Sequence, residues 1–118
     1  SPNFFANYLV YFDEALTYYL EAVGVPYGSL EDEEGVMFVY RKSECQYYQS
    51  LKFGEPLRTE AAIVRFGESS MTTAIRALRG DVLLAEGALI SVCLGLDDRT
   101  KRRIPNRLRE AVRRYEAA

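Results

Sequence analysis

The 118-residue sequence contains no histidine, and this absence excludes several kinds of chemistry. A Ser-His-Asp triad and a Cys-His pair both use an imidazole as general base, so one chain of this sequence can form neither. Zinc sites with histidine ligands and dehydratases that depend on histidine are excluded for the same reason. Any catalysis by a single chain therefore depends on other groups.

Cysteine and long apolar runs are also scarce. Cys45 and Cys93 are the two cysteines, both lie in strand-like runs, and neither belongs to a Cys-x-x-Cys pattern. A disulfide between them stays open, but two buried free thiols in a reducing cytosol is the simpler interpretation, so we expect a cytoplasmic protein. No apolar run reaches the ~18 residues that a membrane-spanning helix needs, so we expect no membrane partner.

Neither sign of charge is in large excess. A net charge of −2 and a pI of about 5.2 argue against a nucleic acid as the main partner, because that function favours a basic surface. Residues 31–34 form an acidic run and residues 99–103 a basic run. Both runs fit solvated loops, and the basic run also fits a contact with phosphate. The length is typical of one domain, which we assign to residues 1–118.

The first quarter of the chain predicts one long helix that begins near Asn3 and ends before Gly24. Apolar residues occur on nearly every side of this helix, so we expect other elements to wrap around it. Asn7, Glu14 and Glu21 recur every seven residues and therefore share one narrow polar face.

The rest of the chain predicts a sheet and a second helix. Residues 25–35 are rich in turn-forming and acidic residues and predict a loop. Strand-like patterns follow at 36–48, 57–66, 71–78 and 82–94, with a tight hairpin at Arg79-Gly-Asp81. Ile104-Pro105 opens a last amphipathic helix. The order is helix, four antiparallel strands joined by hairpins, and helix, which is typical of an α+β fold in which the sheet curls around the first helix.

Five segments, taken in order, resemble one protein family. They are residues 4–15, Gly24-Val-Pro-Tyr27, Phe53-Gly-Glu-Pro-Leu57, Leu84-Ala-Glu-Gly87 and Ile104-Pro105. The series resembles the hotdog-fold thioesterases of the 4-hydroxybenzoyl-CoA thioesterase type over essentially the whole chain. The resemblance implies an antiparallel sheet wrapped around a long central helix, with a C-terminal helix.

One departure from the family pattern concerns the catalytic carboxylate. In the family, a first strand and an Asp precede the central helix, whereas the helix motif here begins at residue 4. We therefore expect both features to lie ahead of Ser1, and the alternative is a protein that lacks that carboxylate.

The resemblance and helix physics together nominate three catalytic groups. The amide of Phe5 lies in the first helical turn, where unpaired amides and the helix dipole can stabilise an oxyanion. Asn7 is a candidate for positioning water or substrate, and Glu14 is a candidate nucleophile or base. The alternatives are capping of the helix start for Phe5 and Asn7, and an ion pair or solvent contact for Glu14.

The substrate contacts that we expect are apolar for the acyl and pantetheine parts and cationic for the phosphates of CoA. The aromatic candidates are Tyr8, Tyr11 and Phe38, unless they are ordinary core, and the cationic candidates are Arg65, Arg76, Arg102 and Arg103. Hotdog sites typically form between subunits, so we expect a homodimer or homotetramer. The resemblance implies no metal and no other cofactor.

The sequence therefore predicts an acyl-CoA thioesterase that hydrolyses an acyl thioester to free acid and CoA. Two alternatives stay open. The acyl carrier could instead be an acyl-carrier protein, which the basic run at 99–103 fits equally well. The domain could also be a non-catalytic hotdog module that binds acyl ligands or serves in assembly.

Overall fold

The computed structural model describes residues 5–49 and 56–118, and their side chains from Tyr8 onward. The described part contains three helices and four strands, in chain order: α1 (Phe5–Ala22), α2 (Tyr27–Glu34), β1 (Val36–Tyr47), β2 (Arg58–Phe66), β3 (Ser70–Arg79), β4 (Val82–Gly95) and α3 (Asn106–Ala117). The long first helix, the four strands and the last helix confirm the order predicted from the sequence.

Helix α2 corrects the prediction that residues 25–35 form a loop. The helix buries one side chain, Leu30, and is followed by the C-cap residue Gly35, whose φ of 66° lies in the left-handed region that glycine tolerates. Its remaining residues are mostly acidic or small, so the segment lacks the repeated apolar positions by which a helix is recognised in sequence.

The sheet is antiparallel throughout and has the strand order β1-β4-β3-β2. Gly80, with a φ of 60°, forms the predicted tight turn between β3 and β4. The expectation that hairpins join all four strands is wrong at one place, because β1 pairs with β4 and not with β2. Strand β1 therefore lies at an edge, and none of the other described strands pairs with its outer side.

Helix α1 packs across one face of the sheet and supplies much of the core. Its buried side chains are Tyr8, Phe12, Ala15, Leu16, Tyr19 and Leu20. The prediction that the helix is enclosed on nearly every side is wrong for a single chain, since Val10 is 55% exposed and Tyr18 65% exposed. One sheet covers only one side of a helix, so apolar residues on the far side remain in solvent.

Helix α3 is held against the turn between β2 and β3 by Arg109. The guanidinium of this residue donates hydrogen bonds to the carbonyl oxygens of Ile104 at 3.0 Å, Gly67 at 2.6 Å and Glu68 at 2.9 Å. It also lies 5.2 Å from the ring centroid of Phe66, within the range of a cation–π contact.

We expect Arg109→Ala to lower the free energy of unfolding by about 2 kcal/mol, because three carbonyl oxygens lose a charged donor. Arg109→Lys should recover only part of the loss, since an ammonium cannot reproduce the planar fork. Urea titration measures both variants. Arg113→Ala is the matched control on the same helix, because it removes only an exposed ion pair with Glu110. Equal losses for Arg109→Ala and Arg113→Ala would contradict the assignment.

Both cysteines are free thiols, as the simpler interpretation of the sequence has it, but only Cys93 is buried and Cys45 is half-buried. None of the helices in the described part of the chain is both long and apolar enough to span a membrane.

Candidate functional site

A cavity of about 300 Å³ lies between helix α1 and the inner face of the sheet, close to the edge formed by β1. Its lining comes from α1, α2 and three strands: Asp13, Leu16, Thr17, Leu20, Tyr27, Phe38, Tyr40, Met71 and Ser91. The volume is at the lower end of the range for small-molecule sites, and the wall is mostly apolar, as such sites usually are.

Strand β4 contributes one small side chain, Ser91, to the lining of the cavity. Side chains alternate between the two faces of a strand, so Ser91, Cys93 and Gly95 share the inner face of β4. Ser91 stands opposite Tyr40 of β1 on one side and Met71 of β3 on the other. Burial raises the pKa of the Cys93 thiol to about 11, so this residue behaves as a small neutral group at neutral pH.

The mouth of the cavity carries a hydrogen-bonded pair from α1 and β1. The Tyr40 hydroxyl donates to the Asp13 carboxylate, and the Thr17 hydroxyl donates to the Asp13 carbonyl oxygen at 3.2 Å. Burial and the bond to Asp13 both raise the pKa of Tyr40 above its ordinary value. The phenol therefore stays protonated at neutral pH and holds the helix to the edge strand at this point.

The buried end of the cavity is polar at two places. The Ser91 side chain is fully buried, and its Oγ has no hydrogen-bond partner in the described part of the chain. The Tyr27 hydroxyl accepts a bond from the Phe38 amide at 3.0 Å. The arrangement can hold a small, uncharged, largely apolar group that also presents a hydrogen-bonding atom.

Comparison with known proteins identifies the family. The sequence model of the thioesterase-like superfamily matches residues 4–112. The chain belongs to this superfamily. A search of curated proteins found no match.

Solved structures confirm the hotdog fold of this thioesterase-like chain. A hypothetical protein from Thermus thermophilus has a TM-score of 0.85 at 27% identity, with 92% of this chain and 82% of that chain covered. The DHNA-CoA thioesterase from Staphylococcus aureus has a TM-score of 0.85 at 17% identity, with coverages of 96% and 78%. A gentisyl-coenzyme A thioesterase has a TM-score of 0.81 at 23% identity, with coverages of 93% and 85%. The last two identities are low, so these two matches establish a shared fold.

The aromatic and catalytic residues predicted from the thioesterase resemblance lie in different places. Phe38 lines the cavity. Tyr8 is buried in the core, where its hydroxyl donates to the Gln49 carbonyl oxygen at 3.0 Å, and Tyr11 is half-buried against the same core. Glu14 is exposed and does not line the cavity. Phe5 is the first described residue of α1, and the role of its amide remains a prediction.

The side chain of Asn7 lies outside the described side chains, so its predicted role remains a prediction. The described residues contain no cluster of acidic residues and cysteines that could hold a metal ion.

Three of the four arginines proposed to contact CoA are engaged with carboxylates. Arg76 lies 3.0 Å from Glu60, and Arg103 lies 3.0 Å from Glu68. Arg102 lies 2.8 Å from Asp98, and this contact is the largest cause that lowers the pKa of Asp98 to about 2. These carboxylates therefore compete with the phosphates of CoA for the three guanidinium groups.

Arg65 has no ion-pair partner among the described residues, but it lies away from the cavity. It lines another cleft, of about 180 Å³, with Arg41, Thr72 and Ile90, and Met71 borders both this cleft and the cavity. Thr72 and Ile90 alternate with Met71 and Ser91, so their side chains face the other side of the sheet. The structure therefore does not bring Arg65 together with the cavity.

Of the nine residues that line the cavity, the predicted site residues include only Phe38, and the polar residues that sequence reasoning missed include Asp13, Tyr27 and Ser91. Asp13 could have been found, because it lies three residues before Leu16 and seven before Leu20 on one helical face. Tyr27 and Ser91 carry no local signal, since their place in the cavity depends on helix α2 and on the register of β4 with β1 and β3.

Proposed function

We propose that this protein hydrolyses an acyl-CoA thioester to the free acid and CoA. The observation that carries the proposal is an apolar cavity beneath the central helix of a chain that belongs to the thioesterase-like superfamily. The cavity offers the acyl group a site shielded from solvent by Leu16, Leu20 and Met71, each of which is buried.

In the proposed reaction, water attacks the thioester carbonyl, the carbon–sulfur bond breaks, and CoA leaves as a thiol after it takes a proton. The Phe5 amide, at the positive end of the α1 dipole, stabilises the oxyanion. A carboxylate expected ahead of Ser1 activates the water. Glu14 is the less favoured base, because it is exposed and outside the cavity.

The proposal includes a homodimer, and two features support it. Strand β1 is an edge of twelve residues, and exposed strand edges favour pairing with another strand. Phe5 also lies eleven residues before Leu16, which is about 16 Å along the helix, too far for one small acyl group to reach both.

In a dimer whose two β1 strands pair antiparallel about their midpoint, the helix start of one copy lies near the cavity of the other copy, so one acyl group can reach both. Helix α1 starts near Tyr47, with the Tyr8 ring centroid 5.5 Å from that of Tyr47, whereas the cavity contains Phe38 and Tyr40 at the other end of the strand. The two-fold axis brings Tyr47 of one copy toward Phe38 of the other. Each active site then combines the helix start of one copy with the cavity of its partner.

The test measures thiol release by the full-length protein, including any residues ahead of Ser1. The substrates are short-chain, long-chain and aromatic acyl-CoAs and the corresponding acyl-carrier-protein thioesters. We expect turnover of at least one acyl-CoA. Turnover of carrier-protein thioesters alone would transfer the proposal to that substrate class, and binding without thiol release would support a non-catalytic acyl-binding domain.

A further inference from the structure

Two arginines without a counter-ion share one cleft on the outer face of the sheet. Arg41 and Arg65 both line the cleft of about 180 Å³, which we call the arginine cleft. Neither arginine forms an ion pair or a hydrogen bond with a described residue, and none of the described residues that line the cleft is acidic. Like charges in one cleft repel each other, so an anion held between them is favoured.

The sheet brings the two arginines together from its opposite edges. Thr72 of β3 pairs with Arg65 of β2 on one side and with Ile90 of β4 on the other. Arg41 lies in the bulge of β1 just before Lys42, which is the partner of Ile90. The backbones of β1 and β2 are three strand spacings apart, about 14 Å, so the two arginine side chains meet above Thr72 and Ile90 to line the same cleft.

Two hydroxyl groups add uncharged donors to the arginine cleft. Ser70 and Thr72 are half-buried and line the cleft, and neither hydroxyl bonds to a described residue. Ser70 follows the turn between β2 and β3, which Arg109 holds through the carbonyl oxygens of Gly67 and Glu68. The Ser70 hydroxyl is therefore positioned before a ligand binds, which lowers the entropic cost of binding.

Other arginines of the described chain do not combine these properties. Arg102 and Arg103 each lie against a carboxylate, which already supplies a counter-ion. Arg99 and Arg114 also have no ion-pair partner among the described residues, but neither of them lines the arginine cleft. The cleft thus joins free cations and free hydroxyls in one place.

We propose that the arginine cleft binds a phosphate group, free or carried by a small ester, that does not belong to the thioester substrate. Guanidinium groups match the oxygens of phosphate in geometry and charge, and the two hydroxyls can donate to the remaining oxygens. The volume lies below the usual range for drug-sized ligands, so the cleft suits a small molecule. The sheet lies between this cleft and the acyl cavity, although Met71 borders both, so the two ligands bind on opposite faces.

Titration calorimetry at low ionic strength tests the site with glycerol 3-phosphate, inorganic phosphate and glycerol. We expect both phosphates to bind and glycerol not to bind, and the tighter of the two phosphates identifies an ester or the free ion as the ligand. Arg41→Gln and Arg65→Gln should each weaken that binding by about tenfold or more, because each removes a charged donor. Arg114→Gln is the matched control, since it removes the same charge outside the cleft, and it should bind as the wild type does.

Titration with CoA distinguishes a separate site from a substrate contact. We expect Arg41→Gln to bind CoA within about twofold of the wild type. An equal loss of affinity for CoA and for glycerol 3-phosphate would assign the cleft to the substrate and overturn the proposal. Failure of the wild type to bind either phosphate, or equal weakening by Arg114→Gln, would overturn it as well. Failure of the wild type to bind CoA would count against the proposed function alone, because the phosphate titrations of the variants do not depend on it.

Discussion

Replacing Phe12 with alanine is expected to lower the free energy of unfolding by about 3–5 kcal/mol. Phe12 is 0% exposed and lies near the middle of α1, within the cluster that joins the helix to the inner face of the sheet. Its loss removes apolar contacts and leaves a cavity that the surrounding strands cannot fill without distortion. Domains of this size have total stabilities of about 5–15 kcal/mol, so the variant should unfold at much lower urea concentration.

Val10→Ala is the matched control for Phe12→Ala. Val10 lies two residues earlier on the same helix and is 55% exposed, so its truncation should change stability by less than about 0.5 kcal/mol. A loss below about 1 kcal/mol for Phe12→Ala would contradict the packing of α1 on the sheet. A large loss for Val10→Ala would instead indicate that a second copy covers the outer side of the helix.

The sequence predicts the elements of this fold better than their arrangement. The C-terminal end of α1 and the β3–β4 turn follow from local signals, because Gly24 and Gly80 both adopt positive φ values where the chain must turn. The pairing of β1 with β4 carries no such signal. It depends on contacts between residues about fifty positions apart, such as Phe38 and Cys93, which alternation within each strand does not specify.

The same contrast holds for the candidate site, where the sequence predicts which residues share a helical face but not how that face is placed against the sheet. The seven-residue spacing of Asn7 and Glu14 identifies a shared helical face but not which face meets the sheet. In the structure Asp13, and not Glu14, reaches the cavity and bonds to Tyr40. Successive helical residues point about 100° apart, so a shift of one position moves a carboxylate from the cavity to solvent.

The size of the side chains on β4 connects the fold with the proposed function. Ser91 is the β4 residue that lines the cavity, and its small side chain leaves room there. Gly87 lies on the same face and has a different role, because the backbone of β1 approaches it directly. The segment Leu84-Ala-Glu-Gly87, part of the resemblance to thioesterases, thus has a physical reason for its glycine.

Gly87→Ala is expected to destabilise the protein by about 3 kcal/mol or more, because the added methyl group meets backbone atoms that cannot rotate away. A Cβ on Gly87 would lie 1.9 Å from the Glu44 carbonyl oxygen and 3.0 Å from the Cys45 Cα. Strand β1 must therefore separate from β4 where Cys45 pairs with Gly87. Since β1 also carries Phe38 and Tyr40, the cavity opens at the same time and thioester hydrolysis should fall with stability.

Gly28→Ala distinguishes this steric effect from a general cost of replacing glycine. A Cβ on Gly28 would have no neighbour within 4 Å, and the residue lies in helix α2, where alanine is favoured by about 1 kcal/mol. We expect Gly28→Ala to be neutral or stabilising in urea titration, and to hydrolyse substrate at the wild-type rate. A Gly87→Ala protein as stable as Gly28→Ala would mean that β1 does not approach β4 this closely, and the edge on which the proposed dimer depends would have to be placed elsewhere.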